Sequence, residues 1–174
     1  MNSAIPSPEE CLDMLNKSGC SDEVIRHCKA VRDVAVKMAK KARADVELVE
    51  AGALLHDIGR SKTHGILHAL EGVKIARQFG LSENIVNIIE RHIGAGLSVE
   101  VARKLNLPPK DYMPKTLEEK IVCHADSLID NCEKQNIEKE VKRALMEGHK
   151  EYAERLVNLH NELSYICGMD VNLL

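Results

Sequence analysis

Apolar positions recur every three or four residues along almost the whole chain. No segment alternates convincingly with a period of two, so the pattern predicts helices and no sheet. The stretch SPEECLDMLNKSG, residues 7–19, has Ser7 as its cap, Pro8 at the first helical position and Glu10 completing a capping box; Gly19 stops it. Ser21 opens the next helix, in which Val24, Cys28, Val31, Ala35, Met38 and Ala42 share a stripe and basic residues gather at the C-terminal end. A third helix, 45–57, is apolar nearly all round, which places it in the middle of a bundle, and it ends near Gly59.

Further helices are expected over 67–80, 82–94, 98–109 and 116–134. Ile85, Ile88, Ile89 and His92 form one stripe of the second, Pro108-Pro109 ends the third, and Thr116 with Glu119 forms a capping box on the fourth. The last helix is long: Val141, Leu145, Gly148, Tyr152, Leu156, Leu159, Leu163 and Ile166 fall on one face. Repeats, low-complexity tracts and linkers are absent from the sequence. The expectation is one all-α domain over residues 1–174, a globular bundle of about seven or eight helices.

A few polar residues fall on faces that should be buried. His27 lies with Val24 and Val31, and Asp126 lies one turn from both Val122 and Ile129. His92 shares the stripe of Ile85, Ile88 and Ile89. His56 and Asp57 sit at the end of the apolar third helix, in AGALLHDIGRSK. Adjacent side chains diverge by about 100° on a helix, but both can reach one ion if the helix ends there, as Gly59 indicates. Singly, each residue reads as a satisfied core histidine or a helix-end cap. Together, three inward histidines and two inward carboxylates on four helices of one small domain point to a metal, because an unpartnered buried carboxylate must shift its pKa or find a cation. Imidazole with carboxylate is the ligand set of iron, manganese, zinc, cobalt or nickel rather than calcium.

His68 joins this set on a face with Gly72, Ile75 and Phe79, where Gly72 removes a side chain and lets something approach closely. His64, four residues earlier, is expected behind the ligands or facing a substrate. His124, His149 and His160 are expected at exposed or boundary positions. In GRSK, Arg60 offers a forked donor for phosphate and Lys62 a point charge; Arg91, Lys115 and Lys120 are further candidates of the same kind.

Composition narrows the partners. The 174 residues are 44% hydrophobic and 29% charged, which is globular, and the net charge of −3 provides no basic surface for a nucleic-acid polymer. One Phe, three Tyr and no Trp are too few for a base-stacking platform. No apolar run is long enough to span a membrane, and the N-terminus lacks the pattern of a signal peptide. The six cysteines contain no C-x-x-C and read as reduced thiols of a cytoplasmic protein.

In the contexts VIRHCKAVRDVAVKMA, LLHDIGR and VCHADSLID, the ordered set His27, His56-Asp57 and Asp126 resembles the HD superfamily of metal-dependent phosphohydrolases over roughly residues 21–132. His68 in HALEG and His92 in IIERHIG resemble the additional histidines of its two-metal members, although the glycine-tyrosine-proline motif of one such group is absent. The resemblance implies an all-helical fold and a first metal held by His27, His56, Asp57 and Asp126. It implies a second metal on His68 and His92, bridged by Asp57, with a water between the ions as the nucleophile. The implied substrate is a small phosphorylated metabolite, such as a nucleotide-like phosphomonoester or phosphodiester, a 2′,3′-cyclic phosphate among them. Two alternatives remain open from the sequence: an HD-type di-iron oxygenase, and a non-catalytic ligand-sensing module.

Overall fold

The computed structural model describes residues 4–174, and its first helix, α1 (Pro8–Ser18), begins and ends as its caps dictate. The Ser7 hydroxyl accepts from the Glu10 amide at 3.3 Å while Glu10 accepts from the Ser7 amide at 2.7 Å, and Gly19 turns away at φ +86°. α2 (Asp22–Ala42) follows, capped by Ser21. α3 (Val46–Leu55) packs against α1, α2, α5 (Glu83–Glu90) and α7 (Leu117–Ser127), so every side of it meets another helix. That explains its unbroken apolar composition: Val49, Leu54 and Leu55 are fully buried, each contributing about 1.5–3 kcal/mol. α4 (His68–Gln78) lies on α5, and α6 (Val99–Lys104) belongs to a small satellite core with Leu97, Leu107 and Tyr112.

The fold is mostly helical, as expected, but a short sheet appears where none was expected, and the helices expected to reach 94 and 109 end at Glu90 and Lys104. The helix expected over 116–134 stops at Ser127, and the chain forms a two-stranded antiparallel hairpin, β1 (Ile129–Asp130) with β2 (Glu133–Lys134). Asn131 makes the turn possible by adopting φ +57°, a conformation Asn tolerates better than most residues. The single long last helix is two: α8 (Ile137–Met146) and α9 (Lys150–Cys167), separated at Gly148 with φ +81° and folded against each other. The Thr116–Glu119 box is half formed. Thr116 accepts from the Glu119 amide, but the Glu119 carboxylate turns to Arg91 and the Lys115 amide. In all, nine α-helices and one hairpin make the domain among the described residues; residues 1–3 of the expected 1–174 span lie outside them. No helix among them is long and apolar enough to cross a membrane, and all six cysteines are free.

Two glycines hold the site's elements together. The 3-10 turn Ile58–Ser61 lies against the start of α4 so closely that a Cβ on Gly59 would stand 1.8 Å from the His68 carbonyl oxygen and 2.5 Å from the Gly72 nitrogen. A Cβ on Gly72 would meet Ile89 at 2.7 Å. What approaches Gly72 is therefore the protein's own core. Backbone cannot swing aside as a side-chain tip can, so Gly59→Ala should destabilise at or beyond the upper end of the roughly 1–3 kcal/mol of overpacked cores. Chemical denaturation should register this, with loosened metal retention because His68 is displaced. A wild-type midpoint would contradict the packing described.

Candidate metal centre and cleft

Six residues from distant parts of the chain meet at one place. His27 comes from α2, and Asp126 from the last turn of α7. His56 and Asp57 follow α3, where the chain leaves the helix, so the two adjacent side chains are free to face the same point. His68 is the first residue of α4, and His92 lies just beyond α5 rather than within it. His56, Asp57, His68 and His92 are at most 5% exposed, whereas His27 and Asp126 are partly open on the cleft side.

All four imidazoles are oriented in the same way. Nδ1 lies 2.6 Å from the Asn131 carbonyl in His27, 2.6 Å from the Ala53 carbonyl in His56, 2.8 Å from the Gly65 carbonyl in His68 and 2.6 Å from the Ile89 carbonyl in His92. A carbonyl only accepts, so each Nδ1 carries the proton and each Nε2 presents a lone pair inward. Such fixed tautomers are how proteins orient metal-binding histidines.

The inward atoms form two groups that share Asp57. Around one point lie Nε2 of His27, Nε2 of His56, Oδ2 of Asp57 and Oδ1 of Asp126. The His27–Asp126 distance is 2.9 Å, His56–Asp126 3.5 Å, His56–Asp57 3.7 Å and His27–Asp57 3.8 Å. Around the other lie Oδ1 of Asp57 and Nε2 of His68 and His92, separated by 3.1, 3.4 and 3.0 Å. Donors at about 2.1 Å from an ion stand about 3.0–3.4 Å apart for octahedral to tetrahedral angles, so the second group has the spacing of a coordination shell, and the first, at 2.9–3.8 Å, would have to close by a few tenths of an ångström around an ion. His56 Nε2 and Asp57 Oδ1 are buried without a hydrogen-bond partner, which is costly unless a cation or proton serves them. His68 and His92 place two lone pairs 3.0 Å apart, an arrangement that repels unless a cation or proton lies between them. These His/Asp clusters could each hold a divalent metal.

The electrostatics agree. Burial would lower the His56 pKa, but Asp57 and then Asp126 outweigh it and raise it to about 9. Burial would raise the Asp57 carboxyl, but His56, His68 and His92 hold it well below the usual carboxylate range. Asp126 is likewise depressed: His27 and His56 overcome its burial. Burial lowers His92. In metal-free protein a proton on His56 thus takes the place of a cation. The stability it contributes is present in full below 6.5 and lost as pH rises through about 9, while that of the carboxylates is lost as pH falls below 3.8. Buried His92 adds a loss as pH falls below 6.5, so metal-free protein should melt highest near 6.5 and lose stability toward pH 9. Metal-loaded protein should lack the alkaline decline. A flat metal-free melting profile from pH 6.5 to 9 would contradict this.

A cleft of about 380 Å³ opens at the cluster, with His27, Asp57, Arg60, His64 and Asp126 in its lining. Arg60 donates from Nε to Asp57 Oδ2 at 2.6 Å. His64 faces the cleft, whereas Lys62 is exposed and not among the lining residues. Arg91 is engaged with the buried Glu119 at 2.8 Å, Lys120 with Glu162 at 2.6 Å, and Lys115 stands 3.9 Å from Asp111, all outside the cleft lining. The histidines expected outside the core divide. His149 is exposed, but His124 is fully buried and His160 nearly so, joined Nε2 to Nδ1 at 3.0 Å. Burial, then His160, pushes His124 down to about 3, so it stays neutral. The reason is that α9 covers a second side of α7, which one helix's periodicity does not reveal. The sequence reading also missed Asn131, which fixes the His27 tautomer, and Glu140, Arg143 and Tyr152, which line the same cleft. Asp-Asn before Cys132 was a turn signal, and Gly148 a helix stop, that would have exposed them.

Comparison with known proteins agrees with this architecture. A tRNA (cytidine(56)-2′-O)-methyltransferase of Thermoplasma volcanium is 46% identical over 168 residues, which is 97% of this chain and 50% of that protein. The chain thus spans about half the length of the first such relatives. The Uncharacterized protein MJ0778 of Methanocaldococcus jannaschii is 46% identical over 164 residues, covering 90% of this chain and 96% of that one. Among solved structures, the HD domain of the L. monocytogenes phosphodiesterase PgpH, in complex with Cyclic-di-AMP, superimposes with a TM-score of 0.56 at 16% identity, covering 91% of this chain and 95% of that one. The profile of the HD domain matches residues 24–130, more than half of the chain, and the chain belongs to the HD domain family.

Proposed function

We propose that the protein is a metal-dependent phosphohydrolase that cleaves a phosphomonoester or phosphodiester of a small nucleotide-like metabolite, a 2′,3′-cyclic phosphate being within this class. One observation carries the reading: the two oxygens of Asp57 face two separate groups of imidazole donors, each with its lone pair fixed inward. His27, His56, Asp57 and Asp126 would hold one divalent transition metal, and Asp57, His68 and His92 a second. When bound, the ions would supply Lewis acidity and an acidified water. The chain's own residues do the rest. Arg60, at the cleft edge beside Asp57, binds the phosphoryl oxygens through its forked donors, and the buried His56, His68 and His92 exclude bulk water from the floor. The likeness in fold to a phosphodiesterase domain in complex with a cyclic dinucleotide supports a phosphate ester as substrate.

A second reading, a ligand-sensing module without turnover, is favoured by one observation. In the T. volcanium relative, the matching half belongs to a protein named for a different reaction. Anaerobic purification, elemental analysis and a phosphatase and phosphodiesterase panel with each metal returned separate the two. The phosphohydrolase reading expects oxygen-independent turnover of at least one small phosphate ester. Bound metal with no turnover on the whole panel would favour the sensor, and oxygen-consuming turnover the di-iron oxygenase.

Arg60→Ala should weaken catalysis by about 2–3 kcal/mol while metal remains, because the donors that face each ion's position belong to other residues. Arg60→Lys should recover only part, since an ammonium lacks the fork. Unchanged kinetics in Arg60→Ala would move the phosphate partner elsewhere in the cleft.

A further inference from the structure

The family profile ends at residue 130, but the cleft extends past it. Part of its lining comes from α8 and α9, which supply Glu140, Arg143 and Tyr152. Glu140 is 5% exposed, an unusual place for a carboxylate. It is satisfied there by two donors. The Tyr152 hydroxyl donates to Oε1 at 2.9 Å, and Arg143 donates to the same oxygen from Nη2 at 2.7 Å. Burial, then Glu140, keeps the Tyr152 phenol protonated and therefore a donor. The Tyr152 ring also backs the turn that follows His92, where a Cβ on Gly94 would stand 3.8 Å from it.

Packing alone gives no reason for this triad. An apolar side chain at position 140 would join α8 to α9 with no charge to neutralise, whereas a buried carboxylate is costly unless it is paired and hydrogen-bonded. The triad does fix a guanidinium in place. Arg143 keeps 58% of its side chain exposed, and Glu140 takes only Nη2, which leaves Nε and Nη1 for a ligand in the cleft. Glu23 and Asp130 are further acids in the lining, and Asp130 is occupied by Lys139 at 2.9 Å. The cleft therefore has, in one lining, a metal cage with Arg60 and a second, pre-set arginine. Its volume of about 380 Å³ suits a small ligand.

We propose that Arg143, held by Glu140 and Tyr152, is a specificity residue that grips a second phosphoryl group, so that the substrate is a small nucleotide carrying two phosphoryl groups rather than one. This rests on the phosphohydrolase reading: the first phosphoryl group occupies the metal cage and Arg60, and the second reaches Arg143. Arg143 touches the substrate, whereas Glu140 and Tyr152 are positioning residues.

The test is equilibrium binding to metal-loaded protein, using the monophosphate and diphosphate thio-analogues of adenosine, which resist hydrolysis. Native protein should bind the diphosphate analogue about tenfold tighter or more, as charge-assisted hydrogen bonds allow. Arg143→Ala should bring the ratio to about one, and Arg143→Lys should keep part of it. Because Arg143→Ala leaves Glu140 buried beside no cation, the paired variant Glu140→Gln with Arg143→Ala is titrated as well and should give the same collapsed ratio. Tyr152→Phe should lower the ratio without changing metal content, as a positioning role requires. A native ratio near one, or a ratio equal in native protein and both Arg143→Ala variants, overturns the proposal. If the ratio collapses as expected while the metal-loaded protein hydrolyses no nucleotide, the phosphohydrolase reading fails and the anion grip stands.

Discussion

Asp57→Ala should remove metal and turnover together while the helical signal persists. Asp57 presents one oxygen to each donor group, so its loss leaves imidazoles facing two poorly neutralised ions and deprives both of their shared ligand. The loss of activity should exceed the roughly 10–100-fold that changes behind a metal's ligands produce. The fold should survive, because the core around α3 is apolar and continuous without this residue. Circular dichroism and elemental analysis on one preparation check both halves. Full turnover in this variant would refute the site assignment. Asp126→Ala should cost nearly as much, since it closes the first group from a distant helix.

His92→Ala should lower bound metal from about two ions per chain to about one. His92 belongs with His68 and Asp57 Oδ1 and lies 3.4 Å from that oxygen. Its removal leaves two donors on that side and four on the other, so the remaining ion should stay with His27, His56, Asp57 and Asp126. A variant with undiminished stoichiometry would place the second ion elsewhere. One that loses both ions would mean that the two positions fill only together.

The helical periodicity carried the six inward residues because each interrupts an apolar stripe: His27 between Val24 and Val31, His92 after Ile85, Ile88 and Ile89. A polar residue on such a face needs an explanation, and five such faces meeting gave one. The part of the cleft lining that comes from α8 and α9 was not legible in the same way. Whether Arg143 and Tyr152 face the cage depends on the break at Gly148 and on the fold-back of α8 against α9, both set by contacts distant in sequence. The hairpin at Ile129–Lys134 was hidden because Ile129 also fits the spacing of α7. His124 and His160 were hidden because α7 is covered on two sides, so polarity there marks an interior pair instead of a surface.

The proposed function requires that two ions share Asp57. It is tested most directly by anomalous diffraction from crystals of anaerobically purified, metal-loaded protein. The prediction is two peaks about 3.5–4 Å apart with the Asp57 carboxylate between them. One should lie within ligand distance of His27, His56 and Asp126, and the other within ligand distance of His68 and His92. A single peak, with His68 and His92 still facing each other beyond its reach, would contradict the binuclear account.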